Sequence, residues 1–428
     1  MRNKLVCVLL FFLTTPLFGQ IDEVRRITEA LCSPEFHGRG YVYKGDSVAA
    51  AFLVNEFKKI GVSSYKKSYT QSFSLNVNTF PGKMSLSQNG KELVAGLDYS
   101  VDPASKSFQG VLSPMEISAD AIMNFDYIRE SITEVQSTST EANALLFDCT
   151  QFSDDTLKMV RSITRQIAEI VPVIELVNKK FTWSVGRVQK FYPFIQIQDS
   201  VFEKNVPIEL DVEAEYMENY TSQNVVAYIP GKKKCSKTIV FTAHYDHLGR
   251  MGADTYFPGA NDNASGTAML FTMARYFQKN RPDFNIMFIA FAGEEAGLVG
   301  SKYFVEHPII KLKKIEFVIN LDIMGSGEEG ITVVNATLFE KEFELLQQIN
   351  REKNLLAEIK KRGPAANSDH YWFTQKGVPA FFIYTRGPNK HYHDIFDTYE
   401  ELSFQEYEDI TTLLVTFVNE LQNKQQDK

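Results

Sequence analysis

The feature that most constrains this chain is a set of apolar runs, each of which stops at a potential metal donor. Thr238-Ile-Val-Phe-Thr-Ala-His244-Tyr-Asp246 ends in His-x-Asp, and Ile286-Met-Phe-Ile-Ala-Phe-Ala-Gly293-Glu294-Glu295 ends in adjacent carboxylates. Ile315-Glu-Phe-Val-Ile-Asn-Leu-Asp322 closes on one Asp, and the turn-rich loop Gly259-Ala-Asn-Asp262-Asn-Ala-Ser-Gly266 feeds a helical pattern from Thr267 to Gln278. Apolar runs of this length separated by helical patterns predict parallel strands covered on both faces. In open α/β sheets, ligands bind beyond the carboxyl ends of such strands, where every one of these polar clusters falls.

The rest of the chain frames that stretch. Helical spacing recurs from Ile21 to Leu31 and from Asp46 to Ile60, where Gly61 supplies a stop, and a final helix is expected over Phe404 to Leu421. From about Asn78 to Tyr216 the texture shifts to short strand-like segments, turns and one helical pattern around Asp155 to Ile170. Between His37 and His244 there is no histidine, so this region is expected to be a β-rich module set within the catalytic domain and outside the chemistry. The expected division is residues 1–19 as a signal peptide, 20–77 with 217–428 as the catalytic domain, and 78–216 as the insert.

The signal peptide is read from Arg2 and Lys4, the apolar run Leu5 to Leu13 and the small residue Gly19. That run is too short to span a bilayer, and no later run is long enough to anchor the chain. The expected location is therefore the periplasm or the extracellular medium, with no membrane anchor in the mature form. A net charge of -8 without an aromatic-basic face argues against nucleic acid as a partner. Cys32, Cys149 and Cys235 lack zinc-ribbon spacing and are assigned no function.

The donors suggest a specific chemistry. On a strand, residues i and i+2 share a face, so Asp246 is expected to accept a hydrogen bond from the His244 nitrogen that does not face a metal. Glu294 and Glu295 would repel one another unless a cation offsets them, and neighbours in extended chain point opposite ways, one to the metal and one to water. Asp322 ends a buried strand, where an unpaired charge is costly. A second histidine comes from His391-Tyr-His393 after the run Val378 to Tyr384, and on chemistry alone either imidazole would serve. Two histidines and three carboxylates suit two zinc-like ions, because two dications against three carboxylates and a hydroxide sum to neutral. Cobalt or manganese would accept the same donors.

In this order, His244-x-Asp246, Asp262-Asn-Ala-Ser-Gly266, Glu294-Glu295 with Gly297-Leu-Val-Gly-Ser301, Asp322 and His393-xxx-Asp397-Thr398 resemble the motif set of the co-catalytic di-zinc exopeptidases. That family includes secreted bacterial leucyl aminopeptidases, glutamate carboxypeptidases and, as relatives, glutaminyl cyclases. The resemblance covers roughly Ile21 to Val77 and Asn224 to the end. It implies an α/β fold, a three-layer mixed sheet flanked by helices, and the insert is similar in placement to a protease-associated domain. It further implies that His244 and Asp322 hold one zinc, Glu295 and His393 the other, and Asp262 bridges both. His393 is preferred to His391 because Asp397-Thr398 follows it at the family's spacing.

Asp246 would then orient His244, Glu294 would act as general base on a water between the ions, and Tyr392 would support the oxyanion. The resemblance also implies a cis peptide between Asp262 and Asn263. The expected activity is aminopeptidase action on peptide substrates, with carboxypeptidase action of the same family or glutaminyl-peptide cyclisation as alternatives. A metal-stabilised binding protein would be expected to have lost a ligand or the base, and this sequence keeps both. The insert is expected to bind substrate or a protein partner. Tyr371, Trp372, Phe373 and Tyr384 hint at an apolar specificity pocket near the mouth, and core packing explains them equally well.

Overall fold

The computed structural model describes residues 18–118, 121–137, 142–233 and 237–423. Most of the expected signal peptide, residues 1–17, lies outside the described residues, as does Cys235. Among the described residues no helix is long and apolar enough to cross a membrane.

The apolar runs form the centre of a nine-stranded mixed sheet. Asn285–Phe291, Thr238–His244, Ile315–Asp322 and Ala380–Thr385 lie side by side in parallel. His244 is in register with Phe291 and Asp322 with Tyr384, so these strands end on one line. Glu215–Ile229 flanks them antiparallel on one side and Ile331–Val334 on the other. Side chains alternate across the sheet. Ile239, Phe241 and Ala243 pack with the helices Gly45–Ile60, Gly266–Lys279 and Tyr407–Asn423, while Val240, Met287 and Ile289 pack with Phe304 and Phe373 on the opposite face. Gly266–Lys279 is buried almost all round through Ala274, which explains a sequence with apolar or small residues at nearly every position of its first half.

A ribbon made by Thr70–Thr79 and the long strand Glu215–Ile229 leads from this sheet into a second one. The second sheet has eight strands, all drawn from residues 84–212. Its centre is parallel, with Phe108–Ile117, Ala142–Asp148, Val173–Val177 and Phe194–Gln198 in sequence. Helices Phe125–Ser137 and Asp154–Ile167 cover one face through Ile128, Val135, Leu157 and Val160. The segment is β-rich as expected, with two helices where the sequence pattern showed one. Phe125–Ser137 buries only Ile128, Ser131 and Val135, too thin a stripe to stand out in the sequence. The other face carries Phe80, Tyr99, Ile174 and Trp183 in one core with Leu248, Met251 and Phe257, so the two sheets share buried side chains.

Candidate metal centre

Each expected donor stands at or just beyond the carboxyl edge of the central sheet. His244 and Asp322 are the last residues of their strands, and Glu294 and Glu295 follow Asn285–Phe291 within the turn that starts at Ala292. Asp262 lies in the loop 260–265 ahead of Gly266–Lys279, and its peptide to Asn263 is cis, as the resemblance implied. His393, with φ 53°, lies in the long loop after Ala380–Thr385.

The geometry centres on Asp262. Its Oδ1 lies 3.2 Å from His244 Nε2 and its Oδ2 lies 3.1 Å from His393 Nε2. Asp322 Oδ1 approaches His244 Nε2 at 3.4 Å, and Glu295 Oε2 approaches His393 Nε2 at 3.2 Å. One carboxylate thus faces two imidazoles, each of which meets a further carboxylate. Donor atoms of His244, Glu294 and Glu295 also fall within 4.8 Å of one another. His391 stands apart, with Nδ1 3.7 Å from Asp394 and a partly exposed side chain, so the fold brings His393 and not His391 to the cluster.

The cluster has a demand for cations. Burial opposes charge on His244, yet Glu294, Asp322 and Asp262 push its pKa well above the imidazole range. His393 is raised to about 11, with burial again outweighed, here by Glu295 and Asp262. Glu294 is held well above the carboxylate range, first by burial, with Glu295 adding to the effect and His244 opposing it. Asp322 Oδ1 and His247 Nε2 are buried without a hydrogen-bond partner among the described residues. Carboxylates that hold protons on neighbouring imidazoles, with buried donor atoms left over, fit divalent ions bound by oxygen and nitrogen.

Surrounding contacts set the positions of these donors. His244 Nδ1 faces the main-chain carbonyl of Asp246 at 3.1 Å, while the Asp246 carboxylate is 3.8 Å away. This corrects the expectation that the carboxylate itself receives the imidazole. Asp246 instead accepts the main-chain N–H groups of Glu294 and Glu295, at 3.2 and 3.3 Å, because its side chain turns toward the adjacent strand end. Asp397 likewise accepts the N–H groups of Asn261 and Asp262 at 2.9 and 3.0 Å, fixing the loop on which Asp262 sits. Ser368 donates to Asp322 Oδ2 at 3.2 Å and accepts from Asn320, which in turn accepts from Thr242.

Three further residues escaped the sequence reading. His247 Nδ1 donates to Glu295 Oε1 at 2.9 Å, and a Cβ on Gly259 would lie 2.3 Å from the His247 ring. Its place directly after His244-Tyr-Asp246 was the available signal. Arg39 is fully buried and donates to the carbonyls of Tyr245, Leu31, Pro258 and Gly259 at 2.6 to 2.8 Å. Trp183, from the second sheet's side of the molecule, offers its carbonyl to His393 Nδ1 at 3.0 Å. The expectation that residues 78–216 lie outside the site therefore fails at this contact.

Tyr392 stacks on the His393 ring, with centroids 3.9 Å apart, and lines the cavity beside the cluster. The expected aromatic pocket is only partly there. Phe373 is buried against Phe291 and Phe304, Trp372 lies under Lys302, and Tyr371 lines a separate cavity. Tyr384 alone of that set lines the cavity at the cluster, where Ile323 and Phe382 join it. Within the helical turn His370–Gln375 only His370 and Phe373 are buried.

Residues 224–418 match the model of peptidase family M28. Aminopeptidase YwaD of Bacillus subtilis is 31% identical over 216 residues, which are 48% of this chain and 46% of that protein. A probable leucine aminopeptidase of Arthroderma otae is 25% identical over 258 residues, 56% of this chain and 65% of its own length. The chain thus spans about half the length of YwaD. Among solved structures, the zinc aminopeptidase BSAP from Bacillus subtilis matches with a TM-score of 0.66 at 20% identity, covering 93% of this chain and 94% of that one. At that identity the likeness bears on the fold.

Proposed function

Because residues 224–418 match the model of peptidase family M28, we propose that the chain belongs to that family and is an exported zinc-dependent exopeptidase that removes residues from peptide N-termini. The observation that carries this reading is Asp262, whose two oxygens face His244 and His393 at 3.2 and 3.1 Å, each imidazole with its own second carboxylate. His244 and Asp322 would hold one zinc ion, Glu295 and His393 the other, with Asp262 between them. Similarity to aminopeptidases over this region supports the choice of reaction, and the leader-like residues 1–19 support export.

Zinc, when bound, supplies a Lewis acid that lowers the pKa of water and polarises a carbonyl. Glu294 takes a proton from the attacking water and returns it to the leaving amine. Asp246 holds the Glu294 and Glu295 main chain in place, and Asp397 does the same for Asp262. Tyr392, at the cavity wall, is positioned to donate to the developing oxyanion. The insert, through Trp183, is assigned a part in holding His393, and its outer surface is a place for substrate or a protein partner.

The test is mass spectrometry of a peptide mixture after incubation with the zinc-loaded protein, including peptides with blocked N-termini and peptides that begin with Gln. Stepwise loss of residues from free N-termini alone is the expected result. Loss from C-termini would reverse the direction of attack, and loss of ammonia from the Gln peptides alone would replace hydrolysis with cyclisation.

A further inference from the structure

The cavity beside the cluster, about 210 Å³, carries an arginine on its outer wall. Arg362 donates from Nη1 to the Tyr384 hydroxyl at 3.1 Å, and among the described residues it has no ion pair with a carboxylate. Two of its basic neighbours are paired, Lys361 with Glu340 and Arg386 with Glu358 and Glu329, while Lys360 on the strand Ile359–Lys361, like Arg362, has no ion pair among the described residues. Arg362 is also well rooted. Its N–H donates to Val333 at 3.0 Å and its carbonyl accepts from Ala336 at 3.1 Å, which ties its backbone to the end of the sheet. Tyr384 is in register with Asp322 on the adjacent strand, so the Arg362–Tyr384 pair stands one strand away from a metal donor.

The cavity therefore combines an apolar floor of Ile323 and Phe382 with a cationic rim that has unused N–H groups. A planar guanidinium with free donors matches a carboxylate in forked geometry, and a phenol beside it adds a donor. We propose that Arg362 and Tyr384 form a carboxylate-binding corner that determines substrate choice, favouring peptides that place a carboxylate beside the scissile bond. The carboxylate can be the side chain of an N-terminal Asp or Glu, or the α-carboxylate of a dipeptide. This inference rests on the peptidase reading of the same cavity.

The zinc-loaded full chain and its Arg362→Gln and Arg362→Lys variants are assayed on Glu-, Asp- and Leu-p-nitroanilides, and on Leu-Gly against Leu-Gly-amide. If the corner takes a side chain, the Glu-over-Leu ratio of kcat/KM falls about tenfold or more in Arg362→Gln and is partly kept in Arg362→Lys, which retains charge but loses the fork. If it takes the α-carboxylate, the Leu-Gly over Leu-Gly-amide ratio falls instead. Neither ratio moving by more than about twofold overturns the proposal. Calorimetric binding of glutamate against glutamine separates this from the reaction itself. Glutamate binding that weakens about tenfold in Arg362→Gln supports the corner even where no peptide is cleaved, and equal binding by both proteins refutes it.

Discussion

The carbonyl of Trp183 lies 3.0 Å from Nδ1 of His393, and the Trp183 N–H donates back to the His393 carbonyl at 2.9 Å. A ligand imidazole is normally oriented by a partner on its other nitrogen, and loss of such a partner typically costs 10- to 100-fold in metal affinity. Here that partner belongs to the segment that carries the second sheet. Trp183 is itself held by a stack on Phe257 and a 2.7 Å hydrogen bond from its indole to Val101. On the proposed two-zinc reading, Trp183→Ala is expected to loosen this loop and weaken one zinc by about 10-fold or more while the other is retained. Zinc titration against a chelating dye reads both affinities, with circular dichroism to establish folding.

Glu294→Gln removes the proposed base without removing any of the donors assigned to the ions. Turnover is expected to fall by about 10²- to 10⁴-fold, with the zinc content measured by plasma mass spectrometry unchanged. Retained turnover in a zinc-replete variant would remove Glu294 from its role.

Arg39 links the end of the helix Phe18–Cys32, the His244 strand and the approach to Asp262 through carbonyls alone. Arg39→Met leaves those buried acceptors unpaired, which predicts a loss of at least about 3 kcal/mol, since hydrogen bonds to charged groups are worth about 1.5 to 3 kcal/mol each. Denaturant melts of the two proteins at equal zinc concentration measure it.

His370 is buried and neutral, its pKa lowered to about 4 chiefly by burial. A histidine with a depressed folded pKa binds its proton more readily when unfolded. Its contribution to stability is therefore intact above about pH 6.5 and lost as pH falls toward 4, at up to about 1.4 kcal/mol per unit. His370→Phe is expected to flatten the pH dependence over that window. Melts at pH 7.5 and 5 that fall equally in both proteins would contradict it.

Cys32 and Cys149 are buried free thiols, and burial raises Cys32 to about 12 and Cys149 also well above the thiol range. Neither supplies thiolate at neutral pH. Labelling of the native protein with a thiol reagent, followed by peptide mapping, is expected to leave both unmodified, and labelling in guanidinium to modify both.

Much of the site could be read from local sequence because its donors end short apolar strands, and a run such as Ile315 to Leu321 specifies both a buried strand and the place where it stops. His244, Glu294, Glu295 and Asp322 were found this way, and Asp262 from the turn-rich loop that feeds the helix Gly266–Lys279. Choosing His393 over His391 needed the family's spacing to Asp397, since the two imidazoles are chemically alike. The corrections concern direction. A strand pattern gives the face a side chain takes, but not that the Asp246 carboxylate reaches across to the Glu294 and Glu295 amides while its own carbonyl meets His244.

Sequence alone therefore pointed to the parallel centre of the sheet, to the candidate donors at its strand ends and to the chemistry such donors can support, because apolar periodicity and strand ends are properties of neighbouring residues. Only the tertiary structure decided that Arg39 ties together distant carbonyls, that Arg362 lines the cavity with no carboxylate partner among the described residues, and that Trp183 holds His393 across 210 positions of chain. Contacts of that kind depend on how two sheets pack, and no local pattern encodes them.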